Sequence, residues 1–221
     1  MYIVLENNKI QNSEDWLKER NKHIGGSECA AIIGVSPYMT NIDLFNLKTG
    51  RKQPKDISEK SYVKYGTEAE EPIRHLYAIK HPELNVYYKP YDIRISKKYE
   101  FISASLDSEI EEIETKKRGI YEGKTASIQN NEELRKWLSG NIPQNYFCQL
   151  LHNMYVIDAD FAVINAELLP SWYENESIFK SFRIERAEVQ ESIDYLINAE
   201  VEFWTKYVEK KKCPPLKLPP L

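Results

Sequence analysis

Residues 101–110 read FISASLDSEI and residues 119–127 read GIYEGKTAS. Both mix apolar, β-branched and small side chains as strands do. Yet the first places Asp107 after its apolar run, and the second sets Glu122 and Lys124 among neighbours suited to burial. Burying charge costs free energy unless a partner, a metal or a substrate compensates it. On a strand alternate side chains share a face, so Glu122 and Lys124 project together while Gly123 faces away. If the strand carrying Asp107 pairs with the next one, all three groups meet at one edge of the sheet. The 15-residue step from Asp107 to Glu122, with TKKRG at 115–119, is compatible with a hairpin.

Two adjacent carboxylates repel unless a cation sits between them. Oxygen-only donors suit a hard ion, magnesium or manganese, rather than zinc. Such an ion polarises phosphoryl oxygens and acidifies water. Two roles are then open to Lys124: orienting and deprotonating an attacking water, or stabilising a pentacovalent transition state as a cation. Glu-x-Lys by itself is common, and an exposed ion pair on a sheet face is the competing reading.

Around this pair the chain reads as helices, strands, helices, strands and a final helix. Helical stretches are SEDWLKERNKH (13–23), a close-packed helix start in GGSECAAIIGVS (25–36), and NIDLFNLKTG (41–50), ended by Gly50. A polar loop, RKQPKDISEKS (51–61), leads into a long helix over 62–81 that breaks near Pro82. The pattern then turns to strands over 85–96, 100–114 and 119–127. Helices follow over 130–140 and 143–157, and strands over 160–169 and 180–186. In the last helix, 191–212, Ile193, Leu196, Ile197, Val201, Trp204 and Val208 recur at helical spacing. This order predicts an α/β domain with a mixed central β-sheet flanked by helices. We read 1–212 as one domain and 213–221, CPPLKLPPL, as a Pro-rich tail. Its prolines forbid helix, and a loose end is favoured over a docked polyproline-like segment.

Composition narrows the classes. Three dispersed cysteines, Cys29, Cys148 and Cys213, argue against a disulfide framework and a zinc ribbon, and their number excludes a four-cysteine iron–sulfur cluster. Cys29 and Cys148 read as buried thiols. The net charge of −4 is not that of a polybasic nucleic-acid binder, though it leaves room for a local basic groove. No apolar run approaches the roughly 20 residues needed to span a bilayer, so no membrane partner is expected. The N-terminus lacks a signal-peptide pattern, and a cytoplasmic location is expected.

Five blocks in order, IGGSECAAIIGVSPYMTNIDLFNLKTG (24–50), YGTEAEEPIRHLYA (65–78), ISASLD (102–107), YEGKTAS (121–127) and IPQNYFCQLLHNMYV (142–156), resemble the YqaJ-like viral recombinase family. That family is related to phage lambda exonuclease within the PD-(D/E)xK nuclease superfamily. The resemblance implies a restriction-endonuclease-like core and a magnesium-dependent 5′→3′ exonuclease, with manganese able to substitute. Its substrate would be double-stranded DNA ends, its products 3′ single-stranded tails, and its partner a single-strand annealing protein. It further implies a ring-shaped homotrimer, encoded by a phage or prophage and acting in the cytoplasm of a bacterial host.

Position by position, the resemblance makes Asp107 and Glu122 metal ligands, joined by the Gly123 carbonyl, and Lys124 the catalytic lysine. Glu70 matches the helix glutamate, with Glu71 the one-residue alternative. Arg20, Ser27 and Ser105 match residues around the 5′-phosphate, a role suited to a guanidinium and a Ser-led helix start. The competing readings are a surface salt bridge from Arg20 to Glu19 or Asp15, and a plain N-cap at Ser27. Gln149 either hydrogen-bonds the attacking water or scissile phosphate, or is a polar residue in a packed helix. His152 is read as a core or groove histidine. Two departures stand out: Leu106 where the motif has proline, and a longer hairpin between Asp107 and Glu122. A superfamily endonuclease and a non-catalytic DNA-binding or interaction module that keeps the fold are the alternatives.

Overall fold

A computed structural model describes residues 2–4, 13–173 and 176–218. Its strands are β1 (Tyr2–Val4), β2 (Leu84–Tyr87), β3 (Arg94–Ser96), β4 (Ser103–Ala104), β5 (Ser108–Glu112), β6 (Arg118–Ile128), β7 (Phe161–Pro170) and β8 (Ile178–Glu185). The helices are α1 (Ser13–Arg20), α2 (Cys29–Ile32), α3 (Asn41–Lys48), α4 (Ser61–Lys80), α5 (Asn131–Leu138), α6 (Gln144–Ile157) and α7 (Arg186–Phe203).

The central sheet runs β2-β5-β6-β7-β8, and only β6 and β7 are parallel. A parallel pair needs a crossover, which α5 and α6 supply. β7 lies near the middle and is buried almost throughout, which is why 160–169 reads as a nearly unbroken apolar run. Its Ala162, Ile164, Ala166 and Leu168 pack towards Leu150 and Met154 of α6 and Leu196 of α7. Its Phe161 and Val163 pack the other way, with Tyr121 of β6 and Tyr77 of α4. The sheet is therefore sandwiched between α4 on one face and α6 with α7 on the other.

Two expected strands are each divided. The 85–96 stretch becomes β2 in the central sheet and β3 in a second, three-stranded sheet ordered β1-β3-β4. Pro90, and Tyr91 with a φ of 57°, turn the chain between them. The 100–114 stretch becomes β4 and β5, one in each sheet, and Ser105 to Asp107 make the crossing. Asp107 thus sits in a bend, not at a strand's end. The 25–36 stretch yields only the single turn of α2, whose N-cap is Glu28 without a side-chain cap bond. Ser27 therefore neither caps nor leads a helix. The final helix passes after Phe203 into a π-helical turn, Trp204–Val208, and stops short of 212.

The tail corrects the sequence reading too. Pro214 is buried, the Asn41 amide donates to the Pro215 carbonyl at 2.8 Å, and the Lys217 N–H donates to Asn41 Oδ1 at 3.0 Å. Prolines leave carbonyls that no helix or sheet engages, and one buried asparagine holds the segment by both faces of its amide. Residues 219–221 lie outside the described residues.

Candidate active site

The position of the site follows from where two strands part. β5 pairs with β6 only as far as Ser108 opposite Tyr121. Beyond that point no strand among the described residues lies beside this β6 edge, and the Gly123 N–H donates to Asp107 Oδ2 at 2.8 Å. Within a strand the N–H and C=O of one residue point to the same side, so the Gly123 carbonyl faces this gap as well. The gap is a cleft of about 240 Å³ lined by Glu70, Asp107, Gly123, Lys124 and Thr125.

Lys124 reaches it from the α6 face of β6, which it shares with the buried Glu122. Lys124 Nζ lies 2.6 Å from Glu122 Oε1, and the Gln149 amide donates to the same oxygen at 2.6 Å. Asn153, one helical turn after Gln149, approaches Glu122 Oε2 at 3.4 Å. This neighbour was legible as the i+4 partner of Gln149, but the sequence reading passed over it. Gly26 makes room for it: a Cβ there would come within 2.6 Å of Asn153 Oδ1. Tyr146, also on α6, lies with its ring centroid 5.4 Å from Lys124 Nζ.

Glu70 arrives from the opposite face, on α4. The helix can lie close because Gly66 leaves only enough space for Thr125; a Cβ there would be 3.3 Å from its hydroxyl. Glu70 is half-buried and pairs with Arg74 at 3.6 Å, whereas Glu71 is exposed and does not line the cleft.

The carboxyls are electrostatically frustrated. Burial, then the Asp107 charge, push Glu122 up to about 7, even against Lys124. Burial raises Asp107 more than Lys124 and the Gly123 N–H lower it. Burial and Asp107 raise Glu70. Burial pulls the Lys124 ammonium down, but Glu122 and Asp107 outweigh it and the net shift is upward. Oxygen donors that resist ionisation together fit a hard divalent ion, which removes their mutual repulsion. Asp107, Glu122, Glu70 and the Gly123 carbonyl are the groups that would hold it.

A pH dependence follows. A carboxyl raised above its ordinary range destabilises the metal-free fold as pH climbs through about 7, and a cation has to displace its proton. Magnesium affinity is expected to rise from about pH 5 to about pH 7 and level off above, read by calorimetry in buffers of differing ionisation enthalpy. An affinity flat across that range, with no proton released, contradicts the assignment.

Arg20, Ser27 and Ser105 form a second group beside the carboxylates. Arg20 donates to the Ser27 hydroxyl and lies over the Trp16 ring, 5.0 Å from its centroid. The Trp16 indole donates to Ser105 Oγ at 3.3 Å, and Ser105 donates to the Asp92 carbonyl at 2.9 Å. The Arg20 charge is near enough to Asp107 to lower its pKa. Trp16 is thus the unpredicted link that gathers the three.

Among the described residues, one compact set of metal-type donors lies elsewhere: atoms of Cys29, His152 and Glu200 fall within 4.8 Å of one another. These donors are already engaged. His152 Nε2 donates to the Ser103 carbonyl at 2.8 Å and Nδ1 meets Glu200 at 2.9 Å, so both nitrogens are already engaged. Cys29 donates to the Gly26 carbonyl, and burial raises its thiol well above the ordinary value. This is a core ion pair with a thiol beside it.

Comparison with known proteins adds a family and a fold. The family model for the YqaJ-like viral recombinase domain matches residues 15–160. The chain is 30% identical over 225 residues to the uncharacterized protein YqaJ of Bacillus subtilis (strain 168), covering 96% of this chain and 62% of that protein. The chain therefore spans less than two thirds of that relative's length. Among solved structures, the alkaline exonuclease LHK-Exo of Laribacter hongkongensis superposes with a TM-score of 0.59 at 18% identity, over 90% of this chain and 97% of its own. The same enzyme with dAMP gives 0.59 at 16% identity, with the same coverage. A phage related exonuclease from Haemophilus somnus 129PT gives 0.50 at 14% identity, over 86% and 96%. These likenesses establish the mixed α/β fold. No described helix is long and apolar enough to cross a membrane.

Proposed function

Because this chain belongs to the YqaJ-like viral recombinase family, we propose that it is a metal-dependent deoxyribonuclease that digests linear duplex DNA from its ends in the 5′→3′ direction. One observation carries this reading: Asp107, Glu70, Gly123 and Lys124 line a single open cleft, with Glu122 bonded to Lys124 and the Arg20 cluster alongside. Magnesium, for which manganese substitutes, supplies Lewis acidity there and acidifies water. Lys124 presents its ammonium to the cleft, placed to hold the attacking water and to stabilise charge on the phosphoryl oxygens. Gln149 fixes Glu122, and so acts on Lys124 through their shared oxygen. Arg20, Ser27 and Ser105 grip the terminal 5′-phosphate, setting the scissile bond one nucleotide further on. The 3′ tails so produced suit a single-strand annealing protein as partner, in the cytoplasm of a bacterial host. A homotrimeric ring supports processivity by enclosing the duplex, and focuses positive groups inward despite the net charge of −4.

The test is digestion of linear duplex DNA labelled at either end, with magnesium or with chelator, beside a closed circular duplex. Progressive loss from 5′-phosphorylated ends is expected, abolished by chelator and lowered at least about a hundredfold by Lys124→Ala. Cleavage of the circle would instead indicate an endonuclease. No digestion of any duplex with magnesium or manganese would sink the nuclease reading.

A further inference from the structure

Tyr38, Tyr62 and Tyr65 are 75%, 62% and 44% exposed, although each is an aromatic side chain whose burial would be favourable. With Trp137 and Tyr146 they line a groove of about 680 Å³, larger than the catalytic cleft. The two hollows adjoin, since Tyr62 and Thr125 line both. Tyr146 forms the wall between the groove and Lys124.

We propose that this groove is a nucleobase-stacking site for the nucleotide immediately 3′ of the scissile phosphate. The inference rests on the nuclease reading and extends it to the substrate's bases. Along α6 the order is Asn153 and Gln149, against which Gly26 packs beside the Arg20-bonded Ser27, and then Tyr146, which lines the groove, with Gln149 holding Glu122 between them. The Arg20 cluster therefore flanks the carboxylates on one side and the groove flanks them on the other. A strand whose terminal phosphate lies at Arg20 and whose next phosphate lies at the carboxylates delivers its second base to the aromatic side. That base has to be unpaired to enter.

The lining fits a base of any identity. Every base has a π-face, so tyrosine stacking is tolerant of sequence, as digestion of arbitrary DNA requires. The hydroxyls of Thr125 and Ser127 can donate to or accept from any base edge. Glu133, the acidic residue of the lining, is turned to the Gln129 N–H at 2.9 Å. Lys60 Nζ, 5.8 Å from the Tyr62 ring centroid, offers a cation to the following phosphate.

The test is a cycle between protein and DNA, using a 5′-phosphorylated linear duplex that carries a normal or an abasic second nucleotide. Binding is followed by fluorescence anisotropy in chelator, with native chain, Tyr62→Ala and Tyr62→Phe; circular dichroism confirms folding. Tyr62→Ala is expected to weaken binding of the normal duplex about tenfold to a hundredfold, with Tyr62→Phe near native. On the abasic duplex the three proteins should bind alike. Equal losses on both duplexes, or no loss on either, overturn the stacking site. Digestion of the same duplex by native protein with magnesium separates the readings. Digestion without coupling leaves the nuclease standing and removes the groove; neither digestion nor binding removes both.

Discussion

Asp107→Asn is expected to leave the metal-free protein at least as stable as the native chain, while lowering hydrolysis of linear duplex DNA about a thousandfold or more. The two effects have one cause. Asp107 raises the proton affinity of both Glu122 and Glu70, and Glu70 adds to the negative field at Glu122. Asparagine keeps an oxygen for the Gly123 N–H but brings no charge, so this repulsion falls while the bend stays tied to β6. Without the carboxylate a bound cation would lose the ligand proposed here, and a loss of several kcal/mol in transition-state stabilisation would give the stated factor. Thermal melts in chelator and single-turnover digestion check both halves. A variant that retains more than about a tenth of the native rate would remove Asp107 from the chemistry. One that melts well below the native chain would mark it as structural.

His152→Ala is the change expected to harm the fold most, by about 3–5 kcal/mol, or roughly 6–20 °C in melting temperature for a chain of this size. His152 and Glu200 are both 0% exposed. Burial alone pulls the imidazole down, but Glu200 outweighs it and the net shift is upward. Removing the imidazole strands a carboxylate whose Oε2 already lacks a partner. Adding Glu200→Leu to His152→Ala should recover much of the loss, because an apolar pair is tolerated where half an ion pair is not. The sign with pH is fixed as well. A histidine raised in the fold lends stability that is full below its ordinary value of about 6.5 and is lost as pH rises through the folded one. The gap between native and variant should therefore narrow at high pH. A melting temperature within about 2 °C of native would show that the pair is dispensable.

What the sequence made legible follows from what is local. Glu122 and Lys124 share a face because strand geometry dictates it, and α4, α5, α6 and β7 stand where periodicity and caps put them. Asn130, for instance, caps α5 by accepting from the Glu133 N–H. The misreadings came from non-local choices. Nothing in 100–114 signals that its first half joins one sheet and its second half another, since both halves have strand character. The tail reads as loose in sequence because its anchor, Asn41, lies more than 170 residues away. Trp16 and Arg74 act at the site through contacts with Ser105 and Glu70 that no single window of sequence contains.

The early parting of β5 from β6 bears on how such a site can be recognised. Asp107 and Gly123 meet at the open end of the hairpin, while its turn, near Ile113 to Lys117, lies at the far end of the ladder. Residues added at that turn extend the ribbon outwards and leave the meeting point where it was. The number of residues separating Asp107 from Glu122 is thus an elastic quantity, whereas the two-residue step from Glu122 to Lys124 is rigid. A search that fixes the first spacing measures hairpin length; one that fixes the second measures chemistry.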